Sequence, residues 1–269
     1  MPNLPAHIDL AGRAAELLDG PALEQYLGAY ILGSTAPDIR ALTRGAREEY
    51  HFASLEFGSV GDGIEGLFEA HPELRSPACN DSTRAFVAGY ITHLVLDEFW
   101  IVEFFRPYFG NRDVYADETD GLVLDRALQL ELDRLSMEGL RRYPLTSPGS
   151  VQALNPPPVG EEARVSVLHA GTNGHVQVPF ISRETLIEWQ DFVLETVGRG
   201  FSWERLRFMA RRIARGDADH PAHQVADEFL GAMPGSLETI FDHVSRDDLS
   251  EFRSRAIERM VHVVGHYFE

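Results

Sequence analysis

The stretch Ala85-Phe-Val-Ala-Gly-Tyr-Ile-Thr-His-Leu-Val-Leu-Asp-Glu-Phe-Trp100 decides the fold class of this chain. Its apolar residues fall on almost every side of a helix, so we predict a buried central helix in a helical protein. His93 and Asp97 interrupt the apolar run, and their spacing of four residues places them on one face of the helix. Gly89 lies one turn earlier on the same face, and we predict that it leaves space beside the two polar side chains.

A histidine and a carboxylate inside an apolar helix have two interpretations. Imidazole nitrogen and carboxylate oxygen are both ligands of zinc, so the pair indicates a metal site. Alternatively, His93 and Asp97 form a hydrogen-bonded pair within the core, because buried carboxylates are rare and are paired where they occur. The helix by itself leaves both interpretations open.

Composition limits the class of protein and of partner. The chain has 269 residues, of which 44% are hydrophobic, and this is enough for a large core. Its formal net charge of −18 argues against nucleic acid as a partner and against stable association with an anionic membrane. The first residues, Met1 to His7, lack the features of a signal peptide, and no apolar run reaches the ~18 residues of a membrane span. We therefore expect a cytoplasmic protein.

Hydrophobic periodicity predicts helices on both sides of the central one. They cover residues 5–18, 22–32, 119–143, 182–197, 202–214, 222–230 and 249–268. The central helix is predicted to stop near Arg106-Pro107, because proline disfavours helical conformation in the residue before it.

Two segments depart from the helical pattern. Residues 144–162 contain five prolines and are predicted to form an irregular connector. Residues 165–180 alternate apolar and polar side chains around Asn173-Gly174, which is typical of a β-hairpin. We predict an all-α multi-helix bundle with a small β-hairpin insertion, in one domain of residues 1–269. Its parts are a metal-site helical core (1–143), the connector and hairpin (144–181) and C-terminal helices (182–269).

Several motifs in the first 110 residues follow one another in a recognisable order. The loop Gly33-Ser-Thr-Ala-Pro-Asp38 comes first, His51-Phe52 follows, and Gly89-Tyr-Ile-Thr-His93-Leu-Val-Leu-Asp97 comes last. In this order and spacing they resemble the zinc-dependent phospholipase C family, whose superfamily also contains zinc-dependent single-strand nucleases. The resemblance implies an all-helical fold with a cluster of up to three zinc ions.

The resemblance also implies roles for five residues of this sequence. Asp38, His51, His93 and Asp97 would bind one zinc ion. Asp97 would bridge to a second metal held by His7, and Asp38 would also act as a base. The implied activity is hydrolysis of phosphoric esters by zinc-activated water, as in a phosphodiesterase or phospholipase C, on a small-molecule or lipid-like substrate.

The sequence departs from the family in its number of metal ligands. Secreted members bind zinc through the amino group of an N-terminal tryptophan, whereas this sequence begins Met1-Pro2. The additional metal of the family is held by histidines after the His-x-x-x-Asp helix, and none occurs between Asp97 and Pro144. We therefore expect one or two ions, of zinc or another divalent metal. Asp120 and Asp125 are further candidate ligands.

Other functions remain open at this stage. One alternative is a non-catalytic metal- or ligand-binding protein on the same scaffold, and another is an interaction protein without a metal. His169 and His175 flank the turn of the predicted hairpin, either as an exposed tip or as a lid over the site. A basic run is predicted as a solvated face or as a receptor for an anionic headgroup. It consists of Arg205, Arg207, Arg211 and Arg212.

Overall fold

The computed structural model describes residues 2–18, 23, 25–75, 77, 79–140 and 176–269. Over these residues the chain is all-α, as predicted. Its twelve α-helices are α1 (Leu4–Glu16), α2 (Leu27–Gly33), α3 (Arg40–Thr43), α4 (Glu48–His51), α5 (Asp62–Ala70), α6 (Asp81–Trp100), α7 (Glu118–Leu140), α8 (Arg183–Gly198), α9 (Arg205–Ile213), α10 (Ala222–Gly231), α11 (Gly235–Phe241) and α12 (Arg246–Phe268). Two 3-10 turns, Ala36–Ile39 and Pro72–Arg75, and a π-helical segment, Ile101–Phe109, complete the regular structure of this part of the chain.

Helix α6 is the buried centre that the apolar stretch predicts. The side chain of Asn80 caps it by accepting a hydrogen bond from the backbone N–H of Thr83. The stretch Asp81–Phe109 is long and apolar enough to span a membrane, but 94% of its most apolar window is buried inside the protein, as expected of a core helix. The predicted end near Arg106-Pro107 is wrong, because the π-helical segment continues to Phe109 with Pro107 inside it. The wider turns of a π-helix relieve the clash between a proline ring and the preceding turn.

Two glycines set the contact between α2 and α6. A Cβ atom on Gly89 would lie 1.8 Å from the carbonyl oxygen of Tyr30, and one on Gly33 would lie 2.0 Å from the carbonyl oxygen of Phe86. No side chain fits at either position, so the two backbones are in direct contact. The prediction that Gly89 leaves space beside His93 and Asp97 is therefore wrong, because the backbone of α2 fills that space.

The remaining helices cover α6 on its other sides. Helices α1 and α12 pack on α6 and on each other, and α7 packs against α1. Helices α9 and α10 pack against α7 and against each other. The first turn of α1 is thereby held between α6 and α7, and this turn carries His7.

The sequence did not predict helices α3, α4, α5 and α11. Three glycines in and just before α5 weaken its helix propensity, but in the structure the backbone at each of them makes a close contact. The backbone N–H groups of Gly61 and Gly63 donate to the buried carboxylate of Glu98 at 2.6 and 2.8 Å. A Cβ on Gly66 would lie 2.2 Å from the carbonyl oxygen of Phe52, so this glycine also permits a close backbone contact.

Parts of the prediction fall on residues that the structure does not describe. The connector at 144–162 lies outside the described residues, as do His169, His175 and most of the predicted hairpin. Of the hairpin, residues 176–180 are described, and they form no strand. Val178 makes an isolated antiparallel bridge with Ile181. The hairpin insertion stays a prediction.

Replacing Gly89 with alanine tests the backbone contact between α2 and α6. We expect Gly89→Ala to lower the free energy of unfolding by at least about 2 kcal/mol, because the added methyl group meets backbone that cannot rotate away. Gly265→Ala is the matched control, since a Cβ there meets nothing within 4 Å in helix α12. It should raise stability by up to about 1 kcal/mol through helix propensity. Chemical denaturation measures both, and equal effects of the two changes would contradict the contact.

A pH-dependent loss of stability should follow from Asp133 on α7. This side chain is fully buried and accepts a hydrogen bond from Asn3 at 2.9 Å, and burial raises its pKa to about 7. The folded state therefore holds a proton that the unfolded state releases near pH ~4. The free energy of unfolding should fall as the pH rises from about 4 to about 7, by up to about 1.4 kcal/mol per pH unit, and should stay constant above pH 7.

The variant Asp133→Asn cannot ionise, so its stability relative to wild type should rise from pH 4 to pH 7. Denaturation curves across this range provide the measurement, and the exposed Asp242→Asn variant is the control. Parallel pH profiles for Asp133→Asn and wild type would show that Asp133 is not the titrating group.

Candidate metal centre

Three histidines from three different helices face one buried carboxylate. The Nε2 atoms of His51 and His93 lie 3.1 and 3.5 Å from Oδ2 of Asp97. Nε2 of His7 lies 3.4 Å from Oδ1 of the same residue. All four side chains are at most 1% exposed. Helices α1, α4 and α6 thus each contribute at least one group to a single buried point.

The nitrogen atoms of these histidines are largely without hydrogen-bond partners. Both ring nitrogens of His7 and His51, and Nε2 of His93, are buried and make no well-aligned hydrogen bond to any residue that the structure describes. Buried polar atoms are normally satisfied, so this number of exceptions at one point requires an explanation. Zinc–nitrogen distances of 2.0–2.1 Å place neighbouring donor atoms of a tetrahedral site about 3.3 Å apart. The observed separations of 3.1–3.5 Å match that spacing, so the donor set fits a zinc ion.

Asp38 belongs to a second group of possible metal ligands, with His7 and His93. Donor atoms of His7, Asp38 and His93 lie within 4.8 Å of one another, as do those of His51, His93 and Asp97. The structure therefore brings together all five residues that the resemblance singles out. Asp38 differs from the other four because its side chain is half-buried on a 3-10 turn.

The loop between α2 and Asp38 is held from both sides. The carbonyl oxygen of Ser34 lies 2.9 Å from Nδ1 of His93, which directs Nε2 of that ring toward Asp97. The hydroxyl oxygen of Thr35 accepts a hydrogen bond from the indole N–H of Trp189 on α8 at 3.0 Å. The carbonyl of Thr35 accepts from the backbone N–H of Asp38 at 3.1 Å. Packing of α2 and α8 thus fixes where Asp38 lies.

Stacking with His93 orients the ring of His7. The two ring centroids are 3.7 Å apart and the planes differ by 6°. Two imidazolium cations would repel each other in this arrangement, so at least one ring is neutral. The ring of His51 meets His93 edge-on, with centroids 5.3 Å apart.

Burial and the shared carboxylate set the protonation states. Burial and the neighbouring His93 lower the pKa of His7 to about 4, and burial likewise lowers the pKa of His51. Burial acts to lower the pKa of His93, but the charge and hydrogen bonding of Asp97, together with Asp38 and the carbonyl of Ser34, raise it above its ordinary value. Burial acts to raise the pKa of Asp97, but the surrounding histidines hold it well below its usual range. His7 and His51 are therefore neutral near pH 7, which is the form that binds metal.

Sequence reasoning missed Arg47, which also contacts Asp97. Its Nη1 and Nη2 atoms each lie 3.4 Å from Oδ2 of Asp97, and its side chain is 9% exposed. The available signal was weak. Arg47 lies four residues before His51, so the two share one face of a helical turn. The surrounding residues 40–50 are polar, and this made the arginine resemble its exposed neighbours.

The candidate ligand Asp125 and the nearby Glu103 have partners outside the cluster. Asp125 accepts hydrogen bonds from Trp100 at 2.9 Å and from Gln129 at 2.7 Å. Glu103 pairs with Arg255 at 2.9 Å. Neither Asp120 nor Asp125 joins a candidate metal group of the described residues, so their proposed contribution is not supported.

The basic run on α9 is in part an internally paired surface. Arg207 contacts Glu204 and lies 2.6 Å from Asp227. The guanidinium of Arg212 lies over the ring of Phe208, which is 58% exposed. This arrangement agrees with the solvated face that the sequence predicts.

Over the residues that the structure describes, the helices bring three buried imidazoles, one buried carboxylate and the half-buried Asp38 together, which defines a helical protein with a candidate metal centre. Residues 6–100 match the family model described as zinc dependent phospholipase C. The match confirms the resemblance inferred from the motifs, and the matched segment, about a third of the chain, contains all five clustered residues. No curated protein and no solved structure matches the chain.

The geometry predicts that removing one central donor lowers metal content. Asp97→Asn and His93→Ala should each bind substantially less zinc than wild type, because each takes a charge or a nitrogen from the shared point. Elemental analysis of folded protein, purified without a tag or chelator, gives the stoichiometry. His262→Ala, on the exposed C-terminal turn, should retain all of the metal. Unchanged zinc in both central variants would contradict the assignment.

Proposed function

We propose that this protein is a metal-dependent hydrolase of phosphoric esters, similar to phospholipase C. One observation carries the proposal: three buried imidazoles converge on Asp97 at the separations of zinc ligands, within a segment that matches a zinc-dependent phospholipase C family. A simple buried pair of His93 and Asp97 would not require His7 and His51 at the same point. The interaction-protein alternative therefore has less support than a metal centre.

The residues divide between two groups that share one face of α6. As the resemblance implies, His51, His93 and Asp97, with Asp38, would hold one ion, and His7 with Asp97 would take part in holding a second. In the structure the donor atoms of Asp38 lie with those of His7 and His93, so Asp38 is also placed to serve the second ion. Bound zinc would supply Lewis-acid polarisation of a phosphoryl oxygen and a lowered pKa for water. Neutral imidazoles at His7 and His51 are available as ligands without first losing a proton.

Asp38 is the member of the cluster whose side chain is both charged and accessible to solvent. It is half-buried, whereas the other four are almost completely enclosed. A carboxylate at this boundary can accept a proton from a water molecule beside the phosphorus atom. The loop contacts through Thr35 and Trp189 keep it in place, so little reorganisation is needed during the reaction.

An aromatic group beside the centre supports a substrate with an apolar part. The ring of Phe52, next to His51 in the chain, meets the rings of Phe180 and His71 at centroid distances of 5.1 and 5.6 Å. All three side chains are half-buried, and the fully buried Tyr90 lies behind them. A half-exposed apolar wall next to a charged site suits a lipid-like phosphoester.

The alternative proposal is a non-catalytic metal- or ligand-binding protein on the same scaffold. It requires the same five residues, so metal content alone does not distinguish it from an enzyme. Turnover of a phosphodiester by the zinc-loaded protein does. A cytoplasmic location and a single domain over residues 1–269 also remain proposals from the sequence.

The proposed role of Asp38 predicts a loss of turnover without a loss of fold. Asp38→Asn keeps the size of the side chain but removes its charge and basicity, so kcat/KM should fall by about 100-fold or more. A chromogenic phosphodiester provides the rate, and thermal unfolding should show a nearly unchanged Tm. Asp242→Asn, an exposed change of the same kind, is the control for lost charge.

Wild-type kcat/KM in the Asp38→Asn variant would contradict this mechanism. No turnover of any phosphodiester by wild type with zinc fully bound would favour the binding protein over the hydrolase.

A further inference from the structure

Arg47 brings a permanent positive charge to the point where the histidines converge. It is 8% exposed, precedes α4 directly, and lies four residues before His51. Nη1 and Nη2 both lie 3.4 Å from Oδ2 of Asp97, and Nε is buried without a hydrogen-bond partner. Within the described part of the chain Asp97 is the one carboxylate that pairs with this guanidinium, which is unusual because arginine is rarely buried unless it is paired well.

The oxygen that Arg47 contacts is the one that faces two candidate ligands. Oδ2 of Asp97 lies 3.1 Å from Nε2 of His51 and 3.5 Å from Nε2 of His93. The other oxygen, Oδ1, faces His7 instead. A cation held by His51, His93 and Asp97 would therefore use the same oxygen as Arg47.

We propose that Arg47 is a resident counter-cation of this centre, which together with His93 balances the charge of Asp97 in the metal-free protein and opposes the binding of a divalent cation. The inference rests on the proposed metal centre. It assigns to Arg47 the role of setting the metal affinity through its charge, and of holding the carboxylate in place while no metal is bound.

The contact geometry favours competition over support. A guanidinium that orients a ligand does so through short, charge-assisted hydrogen bonds of about 2.7–2.9 Å, often one to each carboxylate oxygen. Here both nitrogens approach one oxygen at 3.4 Å. Arg47 therefore acts on Asp97 mainly as a charge and does not lock its orientation through paired hydrogen bonds.

The charge balance leads to the same conclusion. The carboxylates of Asp38 and Asp97 together neutralise one divalent cation. A guanidinium that stays beside them then leaves an excess positive charge in a buried place, where charges are poorly screened. Removing this charge should therefore raise the affinity for metal and lower the stability of the metal-free protein.

Arg47→Met removes the charge while keeping a long side chain. Zinc is titrated by calorimetry into chelator-stripped protein, and thermal unfolding is recorded in chelator. We expect the Kd for zinc to fall by about tenfold or more, in line with the loss of a like charge at this distance, and the Tm in chelator to fall. Arg47→Lys should keep both values near wild type. Arg211→Met, at an exposed position on α9, removes the same charge and should change neither.

Suppose that wild type binds zinc and that folded Arg47→Met binds it with an equal or higher Kd. This result would overturn the inference and leave the metal centre intact. An unchanged Tm in chelator would also overturn it. Absence of zinc binding in both proteins would reject the metal centre and the inference together. Zinc binding by Arg47→Met alone would support the inference.

If Arg47→Met does not fold without metal, the double variant Arg47→Met/Asp97→Asn decides the neutralising role. Removing both charges should restore folding in chelator, because no unpaired carboxylate remains in the core. A double variant that stays unfolded would overturn the role of Arg47 as a counter-cation.

Discussion

A carboxylate that is 1% exposed must be neutralised or bound, and the structure around Asp97 is arranged to meet this requirement. Groups from α1, from α4 and the residue before it, and from α6 converge on its two oxygens. These segments are far apart in sequence, so one side chain ties together much of the N-terminal region. Most of the buried side-chain nitrogens that have no hydrogen-bond partner among the described residues lie at the same point.

Backbone contact between α2 and α6 makes this convergence possible. Because Gly33 and Gly89 carry no side chains, the end of α2 reaches His93, and its carbonyl at Ser34 directs the ring toward Asp97. The loop that follows then carries Asp38 to the open side of the cluster. The close packing that these two glycines permit thus positions the side chains of the candidate site.

The sequence predicted what depends on periodicity and local spacing. The buried α6, the later helices and the i, i+4 relation of His93 and Asp97 follow from patterns of 3.6 residues. It could not predict the role of Gly89. A glycine is expected both where space is left beside a side chain and where another backbone packs closely, so the sequence does not distinguish the two. Arg47 was missed because its burial depends on tertiary contacts that a polar stretch does not reveal. Helix α5 was missed because its glycines are compensated by the distant Glu98.

The central claim is that His51, His93 and Asp97 share one metal ion. Anomalous diffraction at the zinc absorption edge, from crystals of protein loaded with zinc, tests it most directly. The account predicts a strong anomalous peak about 2.0–2.2 Å from the Nε2 atoms of both histidines and from an oxygen of Asp97. A peak only at surface histidines such as His262 and His266, with none among the buried residues, would contradict it.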